Sequence, residues 1–265
     1  MPASEFTQDT ERLAAAVKDA GAVVLKYFRG PLKSWTKGAG DSPVSEADIA
    51  SNDLLQARLV DAGDGWLSEE SENDPSRLAA RRVWVVDPID GTRAYIAGRE
   101  DWSVSAALVV DGRPVAAALY APVTDEMFLA TAGGGAALNG APIRSSAGDG
   151  LQGARIGGPK RMLDRMAQEG VGIVAMPRVH SLALRLARVA HGALDAAIAG
   201  GNGHDWDLAA ADLLVHEAGG VLTALDGRTL IYNRPDPVHG VLIAAGRGQH
   251  AALVNLIRAQ TSEPV

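Results

Sequence analysis

The chain has 265 residues, of which 47% are hydrophobic, and its 32 acidic residues outnumber its 25 lysines and arginines, giving a net charge of −7. This length can bury a large core, while the acidic balance disfavours binding to a nucleic-acid polymer through its phosphates. The absence of cysteine excludes disulfides, thiolate metal sites and a cysteine nucleophile.

The sequence shows no sign of a membrane segment. It contains no run of about 18 uncharged apolar residues, the length needed to span a bilayer. The first residues include Glu5, Asp9 and Arg12, which are atypical of a secretory signal peptide. We therefore expect a cytoplasmic protein with no membrane partner.

The first half of the chain begins with helical patterns and continues with strand patterns. Apolar spacing predicts a helix over about residues 6–28, ended by Gly30-Pro31, and a second helix over about 46–59. Short apolar runs then predict strands that end near Glu69 and near Asp87, followed by strands over 104–110, 115–120 and 127–131.

The character of the sequence changes near residue 146, where a small and polar stretch over 145–153 predicts a seam. Beyond it, short strand patterns alternate with helical patterns, which indicates an α/β fold of helices packed over sheets in layers. We expect one catalytic unit over 1–265, with subdomains 1–146 and 147–265. The predicted elements of the second half are strands near 156, 174, 196, 221 and 241–245 and helices from 160 and over 181–189, 207–217 and 250–257.

Asp87 and Asp90 are the central candidate residues. They follow the β-branched run Val83–Val86 and lie where Pro88 and Gly91 turn the chain. Two carboxylates followed by Gly91-Thr92 suit a site of oxygen ligands beside an anion-binding backbone, and Mg²⁺ prefers such ligands. Taken alone, Asp-x-x-Asp is a weak signal, since Asp and Gly are common in turns.

Two other acidic positions strengthen the interpretation. Glu69 also follows an apolar strand, and strand ends in open α/β sheets are where ligands collect. Asp207 begins a predicted helix, where an acid could equally serve as a cap. Carboxylates gathered at one place repel one another unless protons or cations neutralise them.

Three motifs resemble those of the inositol monophosphatase superfamily, whose members are Mg²⁺-dependent, lithium-sensitive phosphomonoesterases. The resemblance extends from Phe6 to about Ile257 and implies the layered αβαβα sandwich of that family. The motifs are Trp66-Leu67-Ser68-Glu69-Glu70-Ser71, Trp84-Val85-Val86-Asp87-Pro88-Ile89-Asp90-Gly91-Thr92, and Trp206-Asp207-Leu208-Ala209-Ala210 with Glu217-Ala218-Gly219-Gly220.

The resemblance implies a role for each matching position. The implied metal ligands are the carboxylates of Glu69, Asp87, Asp90 and Asp207 and the carbonyl of Ile89. They would hold two or three Mg²⁺ ions.

The other implied roles concern water and phosphate. Thr92, Asp48 and Glu69 would activate the attacking water, while the N–H groups of Gly91 and Thr92 would hold the phosphate. Glu70 is expected to contact the ligand residues without binding metal itself. The resemblance also implies a homodimer.

Local features favour the 3′(2′),5′-bisphosphate nucleotidase branch, with adenosine 3′,5′-bisphosphate as substrate. The segments 41–48 and 92–96 resemble that branch, and 199–203 lacks the carboxylate that inositol enzymes use for sugar hydroxyls. The segment 181–185 departs from the branch by losing two serines, although Arg185 keeps a cation. The alternatives are an inositol-1-monophosphatase or a phosphatase for another sugar phosphate or for histidinol phosphate. A scaffold protein on an inactive phosphatase fold is a further alternative, which the complete set of acids disfavours.

Several further residues are candidates for substrate contact. Arg93 and Lys37 could meet a second phosphate, although ion pairs within the protein would explain them equally well. Arg185 is a further candidate for substrate binding. His204 lies near Asp207 and could touch substrate. The histidines at 180, 191 and 216 are expected to pack or to lie on the surface.

Overall fold

Two large β-sheets with a pair of helices between them organise the part of the chain that the computed structural model describes, residues 5–37 and 42–262. Further helices cover the outer face of each sheet. The order helix, sheet, helix, sheet, helix confirms the αβαβα sandwich expected from the sequence.

The first helical layer contains α1 (Thr7–Tyr27) and α2 (Glu46–Leu59). Apolar residues one helical turn apart, such as Leu13, Val17 and Val24 on α1, are fully buried, which is why this segment forms an amphipathic helix. Both helices agree with their predicted ranges. Between them lies a hairpin that sequence patterns did not predict, β1 (Ser34–Lys37) and β2 (Ser42–Ser45). Asp41, which belongs to the nucleotidase-like segment, lies outside the described residues.

The larger sheet has seven strands, and its first pair, β3 and β4, is parallel while the others are antiparallel. Period-2 alternation sends Trp84 and Val86 toward α1 and α2, and sends Val83 and Val85 toward the opposite face. Both faces are therefore apolar. The strands, in sheet order, are β3 (Gly65–Ser68), β4 (Arg82–Asp90), β5 (Ser103–Val110), β6 (Arg113–Ala121), β7 (Glu126–Thr131), β8 (Gly135–Leu138) and β9 (Ala141–Pro142). A short helix, α3 (Thr92–Ile96), follows β4 directly.

The smaller sheet has five strands in the order β11, β10, β12, β14, β13. Its strands are β10 (Arg155–Gly157), β11 (Val174–Ala175), β12 (Ala196–His204), β13 (Val221–Ala224) and β14 (Val238–Ala245). Helices α4 (Lys160–Gln168) and α7 (Arg247–Ser262) pack on its outer face. The elements agree with the predicted alternation, although α7 begins three residues before the predicted start.

The middle layer is formed by α5 (Leu182–Ala190) and α6 (Asp205–Glu217), which contact both sheets. Because sheets cover it on two sides, α6 is apolar around most of its circumference, and Leu208, Leu214 and Val215 are fully buried. Its first turn lies close to the ends of β3 and β4. No helix among the described residues is long and apolar enough to cross a membrane.

Leu214→Ala should lower the free energy of unfolding by about 2–5 kcal/mol, because it leaves a cavity between the two sheets. Urea denaturation followed by circular dichroism measures the loss. The control is Leu78→Ala, at a leucine that is 41% exposed, where the change should stay within about 0.5 kcal/mol. Equal losses in the two variants would contradict the placement of α6 in the core.

Candidate active site

Three aspartates from two distant parts of the chain meet at the end of β4. Asp87 and Asp90 come from β4 and Asp207 comes from the first turn of α6, and one carboxylate oxygen of each lies within 4.8 Å of the others. The structure therefore brings together the acids of two of the sequence motifs.

A β-bulge explains how two acids three positions apart can serve one site. In a regular strand, residues i and i+3 point to opposite faces. Here Asp87 is opposite Ser105 and Asp90 is opposite Ser103, so three steps on β4 match two steps on β5. The extra residue lies between Asp87 and Asp90, and this irregularity lets both carboxylates point toward the carboxylate of Asp207.

Hydrogen bonds fix each of these carboxylates. Asp90 Oδ2 accepts from the Ser181 hydroxyl at 2.5 Å and from the Ala183 N–H at 2.6 Å. Asp87 Oδ1 accepts from the Ile89 N–H at 3.0 Å, and Asp207 Oδ2 accepts from the His204 N–H at 2.7 Å, which caps α6. Asp207 therefore caps its helix and faces the site at once.

A second buried acid helps to fix the start of α6, the helix that carries Asp207. Asp205, the first residue of α6, is fully buried and accepts from His239 Nε2 and from the Asn233 N–H, each at 2.7 Å. Arg77, also buried, reaches the Asn233 side chain. This network ties the start of α6 to β14 and to the chain that precedes it.

Burial raises the pKa of every carboxyl in the cluster, and repulsion by neighbouring acids adds to this effect at Glu69, Asp87 and Asp207. The pKa values of Asp87 and Asp207 lie well above the usual range, because of burial first and the neighbouring acids second. Burial, with the Glu70 charge adding to it, raises the pKa of Glu69 to about 7. Carboxylates in this situation are stabilised by cations, and an all-oxygen donor set fits a hard divalent ion such as Mg²⁺.

Thr92 lies beside the cluster and contacts Asp48. Its hydroxyl Oγ1 is 2.9 Å from the Ile89 carbonyl oxygen and 3.3 Å from Asp48 Oδ1. The other oxygen of Asp48 accepts from the N–H and the hydroxyl of Ser45 and so caps α2. Burial raises the pKa of Asp48 to about 6. Asp48 thus supports its helix and also faces Thr92.

Lys37 lies next to the glutamate pair. It forms an ion pair with Glu70, whose side chain is 1% exposed, and its Nζ donates to the Glu69 carbonyl at 2.9 Å. Lys37 therefore forms an ion pair within the protein. The sequence analysis gave this as the alternative to a contact with a second phosphate of the substrate.

Gly91 allows the chain to turn between the cluster and Thr92. Its φ is +95°, and a Cβ there would lie 3.2 Å from the Ser181 nitrogen and 3.3 Å from the Asp101 carbonyl oxygen. Both the left-handed backbone and the close approach favour glycine. The site therefore packs directly against the segment that precedes α5.

A cavity of about 580 Å³ opens above the cluster. Acidic residues line part of this cavity, and arginine, histidine and asparagine residues line another part. Three of the latter group were not among the sequence candidates: Arg178, His180 and Asn202. The lining residues are Pro43, Glu69, Asp87, Asp90, Gly91, Thr92, Arg93, Arg178, His180, Asn202 and Asp207.

His180 therefore lies at the cavity, which corrects the expectation that it packs or lies on the surface. The available signal was its position directly before Ser181, the first residue of the segment compared with the nucleotidase branch. Arg178 lies outside the helices and strands, and Asn202 lies at an irregularity of β12 with a φ of +60°, so neither carried such a signal.

The other two candidates lie beside the cavity. The His204 ring stacks on Trp206 with centroids 4.5 Å apart, and it is not among the residues that line the cavity. Arg185 lines an adjoining cavity of about 610 Å³ that shares Arg178 with the first. Burial lowers the pKa of Arg185, and the charge of nearby Asp90 opposes that effect.

Glu69→Gln should raise the melting temperature of the cation-free protein at pH 8 more than at pH 5. The folded chain binds the Glu69 proton more tightly than the unfolded chain does. The protonated Glu69 therefore makes its full contribution to the free energy of unfolding below pH 4.5, and this contribution is lost as the pH rises through about 7. Calorimetry in EDTA measures the shift. Glu72→Gln, at an exposed carboxylate of the same loop, is the matched control, and equal effects of Glu69→Gln at both pH values would contradict the assignment.

Comparisons with known proteins agree with this geometry. The inositol monophosphatase family model matches residues 7–262. A Streptomyces griseus protein named glucose-1-phosphate thymidylyltransferase is 34% identical over 241 residues, which cover 83% of this chain and 90% of that protein. The inositol-1-monophosphatase of Rhizobium meliloti is 34% identical over 202 residues, covering 72% of this chain and 75% of its own.

A solved structure shows the same fold along nearly the whole chain. The extragenic suppressor protein suhB from Bartonella henselae superposes with a TM-score of 0.80 at 27% identity, covering 98% of this chain and 100% of that one. A family match of this length, together with relatives above 30% identity, decides the assignment. The chain belongs to the inositol monophosphatase family.

Proposed function

We propose that the protein hydrolyses phosphate monoesters of small molecules with the help of Mg²⁺. The observation that carries the proposal is the cluster of Asp87, Asp90 and Asp207, whose oxygens lie within 4.8 Å of one another beside the Thr92–Asp48 pair. Membership of a family of phosphatases supports the same reaction.

The ligand set for two or three Mg²⁺ ions would be the carboxylates of Glu69, Asp87, Asp90 and Asp207 with the carbonyl of Ile89. The fit rests on this structure, because the donors are all oxygens and burial raises the pKa of each of these carboxyls. Bound cations would neutralise the charge on the phosphate and make a bound water more acidic.

The side chains of this protein would do the remaining work. Thr92 and Asp48, with Glu69 nearby, would orient the attacking water and take its proton. The N–H groups of Gly91 and Thr92 would hold the phosphate, because the first N–H groups of a helix have no partner within it. The attack requires no covalent enzyme intermediate.

For the substrate we propose adenosine 3′,5′-bisphosphate, with inositol 1-phosphate as the second candidate. The first rests on the nucleotidase-like segments and on the cationic side chains Arg93 and Arg178, which face the cavity. In addition, 199–203 supplies Asn202 rather than a carboxylate to the cavity. The second candidate is at least as well supported by the Rhizobium meliloti relative. Another sugar phosphate or histidinol phosphate completes the set to be tested.

We also propose that 1–146 and 147–265 act as one catalytic unit, because the acids of the cluster come from both. A homodimer and a cytoplasmic location complete the proposal. They rest on the family resemblance and on the composition.

Purified protein should release phosphate from its substrate only when Mg²⁺ is present. The substrate panel consists of adenosine 3′,5′-bisphosphate, inositol 1-phosphate, histidinol phosphate and fructose 1,6-bisphosphate. Li⁺ and Ca²⁺ should inhibit, since Ca²⁺ prefers more ligands at longer distances than Mg²⁺ does. Phosphate release is measured with and without EDTA. Undiminished turnover in excess EDTA would refute the proposal, and the ranking of kcat/KM decides between the substrates.

Thr92→Ala should lower kcat by a factor on the order of 10²–10⁴, as for loss of acid–base assistance, with a smaller change in KM. Asp48→Asn should act through the same pair, so the double variant should be little worse than either single variant. Steady-state kinetics and melting temperatures are measured for all three. The control, Thr223→Ala, truncates a buried threonine of β13 and should keep kcat. Multiplicative losses, or an Asp48→Asn variant that loses stability but keeps kcat, would contradict the pair.

A further inference from the structure

His180 is held in a fixed orientation by Asp101. The ring nitrogen Nδ1 lies 2.6 Å from Asp101 Oδ2, and the His180 N–H donates to the same oxygen at 2.7 Å. A carboxylate accepts hydrogen bonds, so Nδ1 carries a proton and the other ring nitrogen, Nε2, points away from Asp101. Among the described residues, Nε2 has no hydrogen-bond partner.

Asp101 is charged in this arrangement. Burial raises its pKa, but hydrogen bonds from His180 and from Arg99 outweigh that effect and leave the pKa below its ordinary value. An oriented carboxylate hydrogen-bonded to Nδ1 fixes the orientation of the imidazole ring, as in the acid–base pairs of other hydrolases. Arg93 and Arg178 line the same cavity and add positive charge, while Glu69, Asp87, Asp90 and Asp207 line it as acids.

The pair lies against the segment that we propose binds the phosphate. The Asp101 carbonyl oxygen accepts from the Ser181 N–H at 3.1 Å, and both groups approach Gly91 so closely that a Cβ there would lie 3.2–3.3 Å from them. The His180 side chain lines the same cavity as Asp90 and Thr92. It therefore borders the cavity in which we propose that the ester binds.

His180 differs in chemistry from the other groups that line this cavity. The carboxylates suit the binding of cations, and the guanidinium groups of Arg93 and Arg178 do not release protons. An imidazole titrates near neutral pH. Hydrolysis of an alkyl phosphate expels an alkoxide, which needs a proton to leave as an alcohol.

We propose that His180 donates this proton to the leaving group, with Asp101 as its positioning residue. The proposal rests on the phosphomonoesterase function above. As the P–O bond to the leaving group breaks, its electron pair stays on the ester oxygen, which takes the proton from Nε2. Water supplies the new oxygen on phosphorus and gives its proton to the Thr92–Asp48 side. Proton exchange with solvent then restores both groups, so the net products are alcohol and phosphate.

The test compares two substrates that differ in their need for a proton. p-Nitrophenyl phosphate releases a phenolate that is stable as an anion, whereas the best alkyl phosphate of the panel releases an alcohol. His180→Gln should lower kcat on the alkyl ester by a factor on the order of 10²–10⁴ and change kcat on p-nitrophenyl phosphate little. Asp101→Asn should show the same preference, and the double variant should be no worse than His180→Gln alone.

A control variant separates proton donation by His180 from a general effect of losing a histidine. His250→Gln, at a histidine of α7 that contacts Thr223, should leave both activities unchanged. Equal losses on the two substrates, a change in KM alone, or full activity of His180→Gln on the alkyl ester would overturn the proton-donor role. Wild-type protein that hydrolyses neither ester with Mg²⁺ would instead refute the proposed function itself.

Discussion

Repulsion among buried carboxylates is the constraint on which the rest of the site depends. Glu69, Asp87, Asp90 and Asp207 share a small volume in which each would more readily be protonated than in water. Such a cluster persists in a folded chain only if neighbouring groups hold it. Donors from the Ser181 hydroxyl and from backbone N–H groups supply part of that support, and bound cations would supply the rest.

The supporting groups come from all over the fold rather than from the acidic motifs. The bulge in β4 aims two of the acids, the capped start of α6 aims the third, and Asp205 secures that start against β14. The same segment that binds Asp90 through Ser181 also carries His180 into the cavity. The sites proposed for cations, for phosphate and for the proton donor therefore share one set of contacts.

Local patterns in the sequence were sufficient for most of the elements, although not for the β1–β2 hairpin, and for the positions of the acids along the chain. The 3.6-residue spacing of α1 and the β-branched run of β4 are properties of neighbouring residues. The direction of the Asp90 side chain, in contrast, depends on the pairing of Asp90 with Ser103 on another strand. No local pattern encodes this pairing. Likewise, the glycine-rich run 200–203 shows no strand pattern, yet it belongs to β12 because β14 provides the partner. Asn202, which lines the cavity, lies at the irregularity of that pairing.

The position of α6 between the two sheets also bears on how the chain folds. The antiparallel strands β5 to β8 pair with their sequence neighbours, so they can form early with little loss of chain entropy. Asp207 reaches Asp87 and Asp90 only after α6 has docked between both sheets, a contact of large sequence separation. A partly folded chain can hold much of its larger sheet and still have no complete ligand set. Affinity for a metal ion would therefore require that α6 has docked.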